Sequence, residues 1–222
     1  MLFDLRSRGR RRTVQVVYVG LALLIGAGLI LFGVGTGSGG GGLFGAFTGS
    51  NAHSGSGNGV TSQVKQAFAQ TQKNPSSASA WANLVNARFS AARAVGYDSN
   101  TNTYTKTGQQ QLQLLTQAYA HYTSLVKAPS ANTATIAAEA YTALSNWPRA
   151  SATYQAVLSG SGGDIHALEC VTLTSYAAKN DRVAQLAETR VLAKLPKSVR
   201  KTTQTELEQA KTSTTVVSQT CS

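Results

Sequence analysis

The segment Val14–Val34, VQVVYVGLALLIGAGLILFGV, constrains this chain more than any other. Gln15 is its one strongly polar side chain, and no residue in it is charged. At roughly 1.5 Å rise per residue it spans roughly 31 Å as a helix, the thickness of a bilayer's hydrocarbon core. A helix of that length in a globular protein keeps a polar face, and this one has none. Residues 13–34 are therefore predicted to form a transmembrane helix in contact with the lipid bilayer.

Residues 1–12, MLFDLRSRGRRR, hold Arg6, Arg8, Arg10, Arg11 and Arg12 against Asp4, and the next basic residue after the span is Lys65. The positive-inside rule makes 1–12 a basic cytoplasmic tail and places everything after residue 35 outside. The expected location is the cytoplasmic membrane, single-pass, with an extracytoplasmic C-terminal domain. A cleaved signal peptide is the rival reading. The apolar run exceeds a usual h-region, however, and no clear Ala-x-Ala site follows it. Arg11-Arg12-Thr13-Val14 partly fits a twin-arginine signal, which the length of the span disfavours. Ala22 and Gly26 make a small-xxx-small pair, too common in membrane helices to predict association alone.

Residues 35–60 are rich in Gly and Ser and read as a flexible linker that cannot bury a core. From 61 to 211 the composition changes to Ala, Gln, Leu and Ser, with apolar residues at helical spacing. Eight helices are predicted, and no stretch demands a strand. The successive apolar faces begin with Val64 and Phe68, then Trp81, Leu84, Val85 and Phe89, then Leu112 to Val126, and Ile136 to Leu144. The later ones are Ala152 to Leu158, Ile165 to Tyr176, Val183 to Leu192, and a polar helix at 198–211 carrying Leu207. Ser76-Ser77, Asp164 and Asp181 are candidate N-caps, and Pro148 suits a first helical turn. Residues 212–222, rich in Thr and Ser, read as a disordered tail.

Ala118, Ala150 and Ala184 each begin the packing face of a second helix, at intervals of about 32 and 34 residues. Tyr122 and Tyr154 follow the first two at the same offset. Asn74-Pro75-Ser76-Ser77-Ala78-Ser79-Ala80-Trp81-Ala82-Asn83-Leu84 resembles the opening of a tetratricopeptide (TPR) repeat: a proline turn, then Ala-Trp-x-x-Leu. Tyr141, Ala150 and Tyr154 in a second unit, and Leu168, Val171, Ala184 and Pro196 in a third, continue the likeness over roughly 76–196. Departures are the polar insertion Asp98–Gly108 in the first unit, Val85 and Thr172 where a small residue is expected, and Glu188 where an aromatic is expected. The resemblance implies an all-α fold. A TPR-like α-solenoid of about three helix pairs with flanking helices would follow the membrane helix and the linker.

Chemistry-bearing groups are sparse. His121 and His166 lie 45 residues apart, and although Glu169 follows His166 by three, one such pair is not a metal site. There is no G-x-S-x-G, and Gly39–Gly42 lacks the Gly-Lys-Ser/Thr ending of a P-loop. No metal, no cofactor and no enzymatic activity are therefore predicted. The chain carries a net charge of +11. Without aromatic-basic interleaving, nucleic acid is not an expected partner. Arg190, Lys194, Lys197, Arg200 and Lys201 crowd the C-terminal region, either as a solvated face or toward anionic lipid or an acidic partner.

If the solenoid has a concave groove, its first helices line it. Asn83, Asn86, Arg88 and Arg93 are then the groups able to hold an extended peptide, with Tyr97 just before the insertion and Tyr104 within it. Cys170 and Cys221 either form a bridge, worth roughly 4 kcal/mol in the chain-entropy model, or remain a buried thiol and a free one. The expected role is non-catalytic protein–protein interaction on the outer side of the membrane. The topology resembles membrane-anchored TPR proteins that accompany the secretion translocon, which implies a scaffold or chaperone-like accessory of secretion or envelope assembly. Translocon components or secreted chains would be its partners. An envelope ligand-binding module or an accessory subunit of a membrane enzyme is the alternative.

Overall fold

Short polar side chains set where most of the helices start. In the computed structural model, which describes residues 57–161 and 163–221, Ser77, Thr105, Ser130, Asp164 and Asn180 each accept a backbone N–H three residues on. Each such cap satisfies a donor the first turn would otherwise leave bare. The helices are α1 (Gly57–Lys73), α2 (Ala78–Gly96), α3 (Lys106–Leu125), α4 (Ala131–Ala143) and α5 (Trp147–Ser161). They continue as α6 (Ile165–Ala177), α7 (Asp181–Lys194), α8 (Lys197–Gln209) and the short α9 (Thr215–Thr220). The described region is thus an all-α fold. Among the described residues no helix is long and apolar enough to cross a membrane. The predicted span at 13–34, and the tail and most of the linker beside it, lie outside the described residues.

Consecutive helices pack as neighbours: α1 on α2, α2 on α3, α4 on α5, α5 on α6 and α6 on α7. Helix α2 also touches α4, so the first members of the first two pairs adjoin one another. The stack is compatible with a helical-repeat architecture. One apolar core runs through it, from Leu84 and Val85 through Leu112, Leu115 and Tyr141 to Leu168, Leu173 and Val191. Ala118, Ala150 and Ala184 are all buried in it, where the absence of a longer side chain lets helices approach.

The repeat is sharpest in the turns. Ser145 and Lys179 both have positive φ, 55° and 60°. Around them Asn146 N–H donates to Tyr141 C=O, and Asn180 N–H donates to Ser175 C=O, each at 2.9 Å or less. Both are helix ends of the left-handed kind that return an N–H to an orphan carbonyl. Asn146 and Asn180 then accept the N–H of Arg149 and Val183 in the next helix. The caps Ser130 and Asp164, the αL residues Ser145 and Lys179, and the crossing residues Ala150 and Ala184 all stand 34 apart in number.

Three sequence expectations need correction. The insertion Asp98–Gly108 is not strandless: β1 (Tyr97–Asp98) pairs antiparallel with β2 (Thr103–Tyr104), Tyr97 opposite Tyr104. An edge-to-face contact of those two rings, 5.1 Å between centroids, favours the pairing. The cap of α7 is Asn180, not Asp181, which lies in the first turn. Most of the segment 212–222 is ordered and not a disordered tail. Its helix α9 buries Val217, and Cys221 is joined to Cys170 with Cα atoms 5.6 Å apart. Lys179 Nζ donates to Lys211 C=O at 3.0 Å just ahead of it. Of the two alternatives the sequence offered for Cys170 and Cys221, the bridge is the one formed, and it pins this Ser/Thr-rich stretch.

The third-unit departure is also accounted for. Glu188, buried where the other pairs carry Tyr122 and Tyr154, accepts the hydroxyl of Tyr176. Thr172 turns its hydroxyl back to Leu168 C=O at 2.9 Å, so a polar atom enters the core already satisfied.

Gly96 ends α2 where Gly108 opens α3, and a Cβ on either would overlap the other's backbone. Gly96→Ala or Gly108→Ala is expected to cost about 1–3 kcal/mol, measured by urea unfolding, because no side-chain rotation relieves a backbone clash.

Candidate functional site

The first helices of the pairs carry a polar band that begins on α2. Asn83 is exposed there, and Asn86 is half-buried, its amide donating to Ala82 C=O at 2.9 Å. Arg93 is exposed, its guanidinium 5.7 Å from the centroid of the Phe89 ring. Arg88 departs from the expectation. Only 4% exposed, it donates to Gln111 Oε1 of α3 at 3.1 Å. Burial holds its guanidinium down to about 10. It is therefore a packing residue between α2 and α3 and is not available to a ligand. Helical spacing placed it correctly on α2 but could not say which side α3 would cover.

Tyr97 and Tyr104 bring the hairpin to the same end of α2. Tyr97 is 40% exposed, and its hydroxyl donates to Asn102 Oδ1 at 3.2 Å. Tyr104 is half-buried; burial raises its pKa, and the charge of Arg93 opposes the shift. Of the six predicted interaction residues, Arg93, Tyr97 and Tyr104 are thus brought together. Asn83 and Asn86 lie further toward the start of α2.

The sequence reading missed Glu139. It is the one charged residue in α4, ANTATIAAEAYTA, and a lone carboxylate in an Ala-rich helix was the available signal. Burial raises its pKa, while Arg93 on α2 and His166 on α6 both act to lower it. His166 Nδ1 stands 4.0 Å from Glu169 Oε2. Burial likewise raises the pKa of Glu169; His166 lowers it, and Glu206 on α8 and Asp164 raise it further. Arg93 on α2, Glu139 on α4, His166 and Glu169 on α6 and Glu206 on α8 thus feel one another's charge at longer range, and His166 and Glu169 come within 4.0 Å. Among the described residues no group of three or more His, Cys, Asp or Glu could hold a metal ion.

Helix α9 lies against two of the same helices, α4 and α6. Its C-cap residue Cys221 is bonded to Cys170 of α6, and the Cys221 carbonyl accepts the hydroxyl of Tyr154 at 2.7 Å. On another side, Leu158, Gly163, Leu168, Arg190, Ala193 and Lys194 line an open cleft of about 390 Å³. Arg200, part of the predicted basic cluster, donates to Leu195 C=O at 2.9 Å and so caps the end of α7.

No family model, no curated protein and no solved structure matches the chain.

Two substitutions test this description. Arg88→Met should leave the thermal midpoint unchanged or higher, since an apolar side chain relieves the cost of burying the charge. A drop of several degrees would show instead that the bond to Gln111 stabilises α2 on α3. Glu139 binds its proton more tightly folded than unfolded, so its ionisation weakens the fold above the raised pKa. That cost fades as pH falls through it toward the ordinary 4.5. Glu139→Gln should therefore raise the midpoint at about pH 7 and lose that advantage near about pH 4, followed by circular dichroism.

Proposed function

We propose that this chain is a membrane-anchored, non-catalytic TPR-type protein whose helical stack binds other polypeptides outside the cytoplasmic membrane. One observation carries the reading. The second and third helix pairs repeat their caps, turns and crossing alanines at 34 residues, the TPR period, and the first helices of the pairs carry the polar side chains Arg93, Glu139 and His166. A stack of this kind presents a long rigid surface, the usual geometry for holding an extended segment. The anchor rests on the apolar span at 13–34 and the arginines before it. The narrower role, as scaffold or chaperone-like accessory of secretion or envelope assembly, rests on the likeness of topology alone.

The cleft between Leu158, Leu168 and Ala193, edged by Arg190 and Lys194, favours a second reading as an envelope ligand-binding module for a small anion with an apolar part. Saturable binding of such a molecule, lost in Arg190→Ala/Lys194→Ala, would favour it over the first.

A photo-crosslinking residue placed at Arg93 or Tyr97 in intact membranes, followed by mass spectrometry, decides the primary reading. Extracytoplasmic or translocating polypeptides are the expected adducts. Arg93→Ala/Tyr104→Ala should reduce their recovery about tenfold, as loss of a central interaction pair does. Adducts drawn only from cytoplasmic proteins would refute the topology, and undiminished recovery would refute the site.

A further inference from the structure

We propose that the Cys170–Cys221 bond is a redox-operated clasp: when a dithiol reductant opens it, α9 leaves α4 and α6, and the face beneath accepts a short uncharged helical segment of a partner. The inference starts from how α9 is held. It is six residues long, TVVSQT, far below the length at which an isolated helix persists in water. Val217 is buried, Val216 packs on the core, and the Cys221 carbonyl takes the Tyr154 hydroxyl. No residue of α9 is charged, so no ion pair adds to these contacts. A segment so small remains seated chiefly because the covalent bond, spanning a separation of 51 residues, keeps it at high local concentration.

The bond also has a group placed to help it break. His166 lies one turn before Cys170 on α6, with Nε2 3.8 Å from Cys170 Sγ. Its side chain is 62% exposed, whereas both sulfurs are shielded. Fraying of the short helix would bring Cys221 Sγ into solvent first. A thiolate of the reductant then attacks Cys221 Sγ, the S–S bond breaks, and Cys170 departs as a thiolate beside the imidazole, which can donate a hydrogen bond to it. The second thiol of the reductant attacks the mixed disulfide and releases Cys221. Two electrons and two protons pass to the protein, and the reductant becomes a disulfide. A stabilised leaving thiolate speeds this exchange.

What is uncovered is a face of α4 and α6 shaped to α9: small side chains on Ala-rich α4, a recess for an aliphatic residue, and the Tyr154 hydroxyl to meet a backbone carbonyl. A partner segment of the same chemistry fits it. The proposal adds regulation to the binding role put forward above, and the two can fail separately.

The test uses the full chain in detergent micelles, oxidised and treated with dithiothreitol, followed by hydrogen-exchange mass spectrometry with alkylation to count free thiols. Once the thiols are free, residues 212–221 should exchange about tenfold faster or more, while α2 and α3 remain protected. A labelled, uncharged helical peptide of about 15 residues carrying the TVVSQT face should bind the reduced chain saturably and the oxidised chain about tenfold more weakly, because a longer preformed helix avoids the ordering cost that defeats the six-residue α9 once its bond is cut. His166→Ala should slow thiol release about threefold. Retained protection at 212–221 after full reduction would overturn the clasp. So would loss of protection throughout the stack, which would make the bond a simple structural staple, or thiols that come free only in denaturant. Failure of the peptide to bind would overturn the docking face. Absence of crosslinked partners at Arg93, with the exchange result intact, would count against the binding role alone.

Discussion

A helix pair of this composition has an apolar face it cannot cover by itself, and that constraint shapes the rest of the molecule. Each pair must lend its face to the next, so the core is a continuous seam and not a central ball. The seam is thin because alanine dominates it. Ala118, Ala150 and Ala184 bring helix backbones close, and Leu, Val and Tyr fill the spaces between crossings. Close approach leaves little tolerance, which is why Gly96 and Gly108 meet at a point where no Cβ fits.

Polar groups enter this seam only with their hydrogen bonds arranged. Thr142 and Thr172 bond to carbonyls one turn back, Ser151 pairs with Ser175 at 2.7 Å, and Tyr176 donates to Glu188. Burial, with the neighbouring Glu188 adding to it, raises the pKa of Tyr176 and keeps its phenol a donor. Buried polar atoms left unpaired would cost more than the small alanine contacts return. The outer surface of the first helices follows a different logic. There Arg93, Glu139, His166 and Glu169 influence one another, yet only His166 and Glu169 come within ion-pair distance.

The end of the stack illustrates how a covalent bond substitutes for area. Helix α8, with Leu207 buried, covers part of the last face. Helix α9 is too short to cover anything by hydrophobic burial alone, and the bond to Cys170 makes up the difference. Tyr122 and Tyr154 occupy corresponding places in two pairs but find different partners. Tyr122 accepts the N–H of Ser130 at the start of the next pair, whereas Tyr154 reaches the Cys221 carbonyl. The same side chain serves the repeat in one place and the tail in the other.

The chain's own periodicity determined that the described region is helical, where most helices begin, and which alanines and tyrosines lie inside. Caps, prolines and 3.6-residue spacing are local properties and are readable one turn at a time. Tertiary structure alone decided that Arg88 points under α3 while Arg93 remains outside, because the two differ only in which neighbour covers that side of α2. It also gave Glu139 its place between Arg93 and His166, residues drawn from three separate helices. A carboxylate's surroundings are set by contacts distant in sequence, and spacing along one helix carries no record of them. For Thr212 to Cys221 the sequence left two alternatives, a bridge or a free thiol, and the fold decided for the bond to a residue 51 positions away.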